Sequence, residues 1–283
     1  MSTRIALVTG ASSGIGEATA RALAAAGVVV YGAARRLDRL EALASAGIRP
    51  LVMDVTDDDS MRAGVARIID EAGRLDVLVN NAGYGSYGAI EDVPLEEARR
   101  QFDVNVFGAM RLTQLVLPHL RAQGPGTIVN ITSMGGRIHT PLGGWYHATK
   151  YALEALSDCL RIEVAPFGID VVVIEPGGIQ TEWGAIAAGN LEGTSGTGAY
   201  ADQAAAVASS LRSEADGTRN SPPSVIADAV ATAVTARRPR TRYAVGFGAK
   251  PLIAAKTVLP DRTYDTLISR AVGLPTGRPR TAG

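Results

Sequence analysis

Cysteine is almost missing from this chain: Cys159 is the only one in 283 residues. No internal disulfide can form, which excludes a small disulfide-framework protein and fits a reducing, cytoplasmic setting. Histidine is nearly as rare, with three residues. One thiol and three scattered imidazoles make a poor ligand set, so no metal site is expected. No run of about 18 apolar residues occurs, so no membrane span is expected, and Met1 to Thr9 enters a strand-like segment without a cleavable apolar leader. Neither sign of charge dominates, with 28 Lys+Arg against 28 Asp+Glu, and no overall field invites nucleic acid or an anionic membrane. Lysine is scarce too, three residues against 25 arginines. What remains is 46% hydrophobic and 20% charged, the composition of one globular domain with a sizeable core, and neither disordered nor collagen-like.

Short apolar, β-branched runs alternate with longer helical patterns, the signature of parallel strands joined by crossover helices. Seven strands are predicted near 4–9, 28–33, 48–54, 75–80, 127–132, 169–175 and 242–246. Several lack polar alternation, so both faces of the sheet are expected to be covered. Helical patterns occupy 14–26, 38–46, 57–72, 95–122, 147–164, 223–236, 249–258 and 261–271. The expectation is an α/β, doubly wound Rossmann fold: one domain over residues 1–283, with a seven-stranded parallel sheet in the order 3-2-1-4-5-6-7. Pro50 cannot donate to a ladder, which places the third strand at an edge. The small, polar stretch 182–221 is too long for a passive connection and reads as a mobile lid with helical pieces, and 275–283 reads as a frayed, disordered tail.

The first strand runs into Thr9-Gly10-Ala11-Ser12-Ser13-Gly14-Ile15-Gly16, which opens an Ala-rich helix. Unpaired N–H groups at a helix N-terminus attract phosphate, and glycines let a pyrophosphate approach closely, so Gly10, Ser12, Ser13, Gly14, Ile15 and Gly16 are candidate dinucleotide-binding residues. After the second strand, no acid follows Tyr31-Gly32-Ala33-Ala34 to accept from a ribose 2′-hydroxyl. Arg35 and Arg36 stand there instead, and a guanidinium fork suits a 2′-phosphate; NADP(H) is expected over NAD(H). Asp54, with Val55 beside it, is open between two roles, accepting from an adenine amino group or capping the next helix. Asn80-Asn81-Ala82-Gly83 ends the fourth strand, where Asn80, Ala82 and Gly83 could line the crevice at the strands' carboxyl ends.

Tyr146-His147-Ala148-Thr149-Lys150 is the sharpest local pattern. A spacing of four puts Tyr146 and Lys150 on one helix face, and eight tyrosines and three lysines give only about 0.08 such pairs by chance. A phenol with an ordinary pKa near 10 is a poor acid-base catalyst at neutral pH, but a neighbouring ammonium and a nicotinamidium would favour its phenolate. Ser133, thirteen residues earlier at a strand end, can reach the same crevice. Asn105 lies inside a helical pattern, where an amide is an indifferent helix former.

Taken in order, TGASSGIG, NNAG, Asn105, Ser133, YHATK and Pro176-Gly177-Gly178-Ile179-Gln180-Thr181 resemble the short-chain dehydrogenase/reductase family over residues 4–181. ARRPRTRYAVG and LPDRTYD further resemble its 17-beta-hydroxysteroid-dehydrogenase-like and retinol-dehydrogenase-like branch. The resemblance implies a catalytic tetrad of Asn105, Ser133, Tyr146 and Lys150, with Asn105 holding a proton-relaying water and Lys150 also binding ribose hydroxyls. Pro176, Gly177, Ile179 and Thr181 would lie near the nicotinamide.

The implied reaction is NADP(H)-dependent interconversion of a ketone or aldehyde and an alcohol, with reduction the favoured direction. Tyr84, Tyr87, Met134, Ile138, Pro141, Leu142, Trp145 and Trp183 suggest an apolar pocket for a small or lipophilic carbonyl compound, and equally a core or a subunit interface. Two other readings stay open: an NAD-dependent alcohol dehydrogenase, against which the missing acid counts, and a redox-silent dinucleotide-binding regulator, against which the intact Tyr146 and Lys150 count. By family analogy the 95–122 and 147–164 helices would pair in a homodimer or homotetramer.

Overall fold

In the computed structural model, which describes residues 3–216 and 220–275, all seven predicted strands are present and parallel, in the order β3-β2-β1-β4-β5-β6-β7. They are β1 (Ile5–Thr9), β2 (Val29–Ala34), β3 (Arg49–Val52), β4 (Val77–Asn80), β5 (Gly126–Ile131), β6 (Ile169–Pro176) and β7 (Arg242–Val245). Pro50 sits in β3, which pairs only with β2, so the missing N–H faces the sheet edge.

The helices are α1 (Gly14–Ala25), α2 (Leu37–Glu41), α3 (Asp58–Ala72), α4 (Leu95–Phe102), α5 (Ala109–Gln123), α6 (Gly144–Val164), α7 (Trp183–Ser195), α8 (Ala201–Asp216), α9 (Ser224–Thr235), α10 (Ala249–Val258) and α11 (Asp261–Ala271). Successive side chains of a strand point to opposite faces. On β1, Ala6 and Val8 therefore enter one core with α1 and α9, while Ile5 and Leu7 enter another with α3, α5 and α6. Both layers are apolar, which explains why the central strands show no polar alternation.

Three boundaries differ from the sequence reading. The 95–122 pattern is not one regular helix: α4 and α5 are joined by a π-helical stretch, Asp103–Gly108. There Gly108 lies against the Val55 carbonyl, where a Cβ would clash, and the widened turn carries Asn105. Helix α6 starts at Gly144 rather than 147, so Tyr146 belongs to its first turn. The 38–46 pattern splits into α2, which ends at Glu41, and a 3₁₀ turn over Ala44–Ala46, while the helical pieces expected in 182–221 are α7 and α8. Of the predicted tail, residues 276–283 lie outside the described residues.

Candidate active site

The loop after β1 is shaped by close approaches that only glycine permits. Gly10 and Gly14 have φ of 66° and 55°, and a Cβ on Gly16 would overlap the Gly10 carbonyl and the Asn81 amide. Ser13 takes the N-cap position of α1 without a side-chain capping bond, which leaves the first helical N–H groups directed at the crevice. Asn81 Nδ2 donates to Thr9 O at 2.9 Å, and Thr9 Oγ1 accepts from the N–H groups of Asn81 and Ala82, each at 3.0 Å. The β4 loop is thereby locked to the glycine loop. Gly14 also faces Thr181, with Thr181 Cγ2 only 3.3 Å from where its Cβ would be, so the two ends of the predicted cofactor set meet. Ile15 and Ile179 pack against the same core.

At the end of β2, Arg35 and Arg36 are exposed, and among the described residues neither side chain makes a hydrogen bond or ion pair. Asp54 accepts from Thr56 N at 2.9 Å and Thr56 Oγ1 at 2.8 Å. Burial pushes its carboxyl up, but those bonds and the Arg35 charge outweigh it and hold it below its ordinary value. Asp57, not Asp54, caps α3 by accepting from Asp59 N and Ser60 N, so the capping role suggested for Asp54 is corrected. Asn80 also departs from expectation. Its side chain is buried and donates to Thr113 Oγ1 and Asn130 Oδ1, inside the core rather than along the crevice.

Gly83, Asn105, Ser133, Tyr146 and Lys150 come together. A Cβ on Gly83 would stand 3.0 Å from Asn105 Oδ1 and 3.7 Å from Lys150 Nζ. The Asn105 amide donates to Tyr84 O (2.9 Å) and Thr149 Oγ1 (3.1 Å), while its oxygen accepts from Tyr84 N (3.0 Å). Thr149 Oγ1 in turn donates to Tyr146 O. The amide therefore fixes the β4 loop onto the first turns of α6.

Tyr146 and Lys150 are 8% and 6% exposed. Burial pushes the Tyr146 phenol up to about 12, opposed by a hydrogen bond with Ser133. Burial also pushes the Lys150 amine down to about 8, opposed by the Glu154 carboxylate. Lys150 Nζ donates to Ile131 O at 3.0 Å and lies 6.0 Å from the Tyr146 ring centroid. Burial therefore favours the protonated phenol at neutral pH, the form in which Tyr146 can donate.

Residues 4–188 match the family described as short chain dehydrogenase. The chain belongs to that family. It is 38% identical over 263 residues to the 3-ketodihydrosphingosine reductase of Bacteroides thetaiotaomicron, covering 92% of this chain and 95% of that protein. Identity to the NADPH-dependent 3-dehydrocapnine reductase of Ornithobacterium rhinotracheale is 36% over 277 residues, covering 93% and 95%. The crystal structure of a short-chain dehydrogenase from Streptomyces avermitilis matches with a TM-score of 0.79 at 36% identity, covering 96% and 98%. This chain is an oxidoreductase of the short-chain dehydrogenase family.

The expected substrate residues of this short-chain dehydrogenase lie in different places. Tyr87, Leu142 and Trp183 pack with Tyr146 against Ala187, Ala188 and Leu191 of α7. The Trp183 ring lies 5.2 Å from Tyr146 and 5.9 Å from Tyr87, and the absence of a side chain at Gly85 makes room for the indole. Met134 and Ile138 instead join Tyr264 and Ile268 beneath the last two helices. Tyr84 turns to Glu97, with its hydroxyl 2.9 Å away.

His147 is structural: Nδ1–H donates to Gly135 O (2.8 Å), and Nε2 accepts from Thr140 N (3.0 Å). Burial pushes its pKa down to about 4. His139 pairs with Asp265. Thr9, Asn81 and Thr149 were not singled out in the sequence, although each lies within or beside a recognised motif. Their signal was adjacency alone, because nothing in a motif says which member ties two loops together.

Proposed function

We propose that this protein is an NADP(H)-dependent reductase of lipophilic ketones or aldehydes, with Tyr146 as the proton donor. One observation carries the reading: a buried phenol beside a buried amine at the carboxyl end of a parallel sheet, with Ser133 following β5 at the same end. The glycine cradle, the uncapped α1 N-terminus and the Thr181–Gly14 approach suit a dinucleotide, which Gly10, Ser12, Ser13, Gly14, Ile15 and Gly16 would hold. The cofactor supplies hydride when bound. Arg35 and Arg36, both exposed at the end of β2, would take the 2′-phosphate.

In the reaction, Ser133 donates to the carbonyl oxygen as negative charge grows on it, an interaction stronger in the transition state than before it. Tyr146 then delivers its hydroxyl proton to that oxygen. Lys150 holds a positive charge near the phenol as the proton leaves, and Asn105 keeps Tyr84 and α6 in register. Trp183, Tyr87 and Leu142 offer an apolar wall for the substrate. The names of the two relatives, each a reductase of a 3-keto or 3-dehydro compound, support a ketone. A homodimer or homotetramer through α5 and α6 belongs to the same reading, supported by the exposed Phe107, Tyr151, Leu156 and Ile162.

The test is a screen of aliphatic, aromatic and polycyclic carbonyls, following loss of reduced nicotinamide absorbance with NADPH and with NADH. Turnover of lipophilic ketones with NADPH preferred is the expected result. Tight NADPH binding without oxidation by any carbonyl would favour the redox-silent reading, and a preference for NADH would overturn the cofactor assignment.

A further inference from the structure

The stripe that carries Tyr146 and Lys150 does not stop there. On α6 the same four-residue spacing continues to Glu154 and Asp158, so a phenol, an amine and two carboxylates follow one another along a helix face. Glu154 is 5% exposed. Its Oε1 accepts from Thr132 Oγ1 at 2.5 Å, and its Oε2 accepts from Arg242 Nη2 at 2.8 Å and Nε at 3.1 Å. Two consecutive residues at the end of β5 thus each engage one member of the stripe: Ile131 holds Lys150 and Thr132 holds Glu154. Gly136 makes room for this, since a Cβ there would lie 2.9 Å from Glu154 Cγ.

We propose that Glu154 is a positioning residue for the active-site amine: its buried carboxylate, one turn beyond Lys150, keeps Lys150 an ammonium at working pH, and Arg242 sets how strongly it does so. This rests on the reading of Lys150 as part of the reductase site. A buried amine far from any anion loses its proton readily, because burial disfavours the charged form. Glu154 opposes that loss. Arg242 divides its charge among Glu154, Asp158 and Glu175, the last at 3.4 Å. Glu175 is also paired with Arg137 at 3.2 Å, and Asp158 with Arg161. The charged and titratable groups tied to Lys150 through Glu154 are therefore Asp158 on α6, Glu175 from β6, Arg242 from β7 and Arg137 after Ser133, with Tyr146 one turn before the lysine. Glu154 is the carboxylate nearest along the helix.

Because the chain has only three lysines, the test can be direct. Protein carrying ¹³C-labelled lysine gives three side-chain NMR signals, and a Lys250→Arg/Lys256→Arg background leaves Lys150 alone. In that background the signal is expected to titrate near 8. Glu154→Gln removes the anion and leaves Arg242 nearby, so the midpoint should fall by about one pH unit. Arg242→Gln frees the carboxylate from its cation, so the midpoint should rise. Opposite displacements are not the signature of a merely structural network. Where Glu154→Gln does not fold, the upward displacement in Arg242→Gln carries the test. A Lys150 midpoint unmoved in the folded variants, or moved the same way in both, overturns the proposal. The alkaline limb of kcat/KM for NADPH-driven reduction should follow the same two directions. If no carbonyl is turned over, the reductase reading fails while the lysine titration still decides the role of Glu154.

Discussion

The two halves of the cleft are built by different means. On the cofactor side, β1, β4 and the loops after them are joined by hydrogen bonds and glycine approaches, with Thr9, Gly10, Gly16 and Asn81 within bonding or contact distance of one another. On the side proposed as a lid, α7 and α8 meet Tyr146, the proposed proton donor, through Ala187, Ala188, Leu191, Ala204 and Val207, apolar residues whose side chains make no directional bonds. Hydrogen bonds and steric limits specify residue type at fixed positions, whereas apolar contact specifies volume and tolerates exchange. The first half is therefore expected to fail sharply under substitution, and the second to change its preferences while continuing to work.

Between the two halves, the larger effect is expected from Gly16→Ala on the cofactor side. The added methyl has no room against the Gly10 carbonyl and the Asn81 amide, so the loop must move. NADPH affinity measured by fluorescence titration should drop roughly 100-fold, about 3 kcal/mol, and an unchanged Kd would show that the cradle is softer than described. Arg35→Asp comes next: the ratio of kcat/KM for NADPH to that for NADH should fall about tenfold or more, as expected for losing a charge-assisted bond and gaining a repulsion. An unchanged ratio would assign phosphate recognition elsewhere.

On the lid side the expected changes are smaller. Trp183→Ala removes the indole from the Tyr146 face and should alter KM among bulky and small ketones by roughly tenfold, the scale of a lost apolar contact, with the NADPH Kd unchanged. A large loss of cofactor binding instead would join the lid to the cofactor half. His147 gives a stability counterpart. Its pKa is about 4 in the fold and 6.5 as the ordinary value, so the unfolded chain binds the extra proton between those values. Stability should be fully present above about pH 6.5 and decline as pH falls toward 4. Chemical denaturation across that range should show a steeper decline than in His147→Gln, and equal slopes would contradict the assignment.

The same contrast governs what the sequence could reveal. All seven strands, their order and the edge position of β3 were legible, because alternation of apolar runs with helical patterns and Pro50 each act locally. Tyr146, Lys150, Ser133 and Asn105 were legible as a set, and the structure puts Asn105 and Lys150 against Gly83 and Lys150 beside Tyr146. The π-helical stretch was not, since it arises where Gly108 meets a carbonyl from another loop and Asn105 reaches Tyr84. Asn80 was misplaced for a related reason: its motif marks a strand end, but strand alternation turned its amide inward to Thr113 and Asn130. Glu154 carried a signal that went unused, an acid four residues after the lysine on a buried face.

The central claim is that the Tyr146 hydroxyl gives up its proton to a substrate oxygen. Tyr146→Phe keeps the ring and its contacts with Trp183 and Tyr87 and removes only that hydroxyl. With a ketone that the unaltered protein reduces, turnover by the variant should fall about 1,000-fold or more, within the range for losing a general acid, while NADPH binds as before. Turnover retained within tenfold, with the cofactor bound normally, would contradict the account.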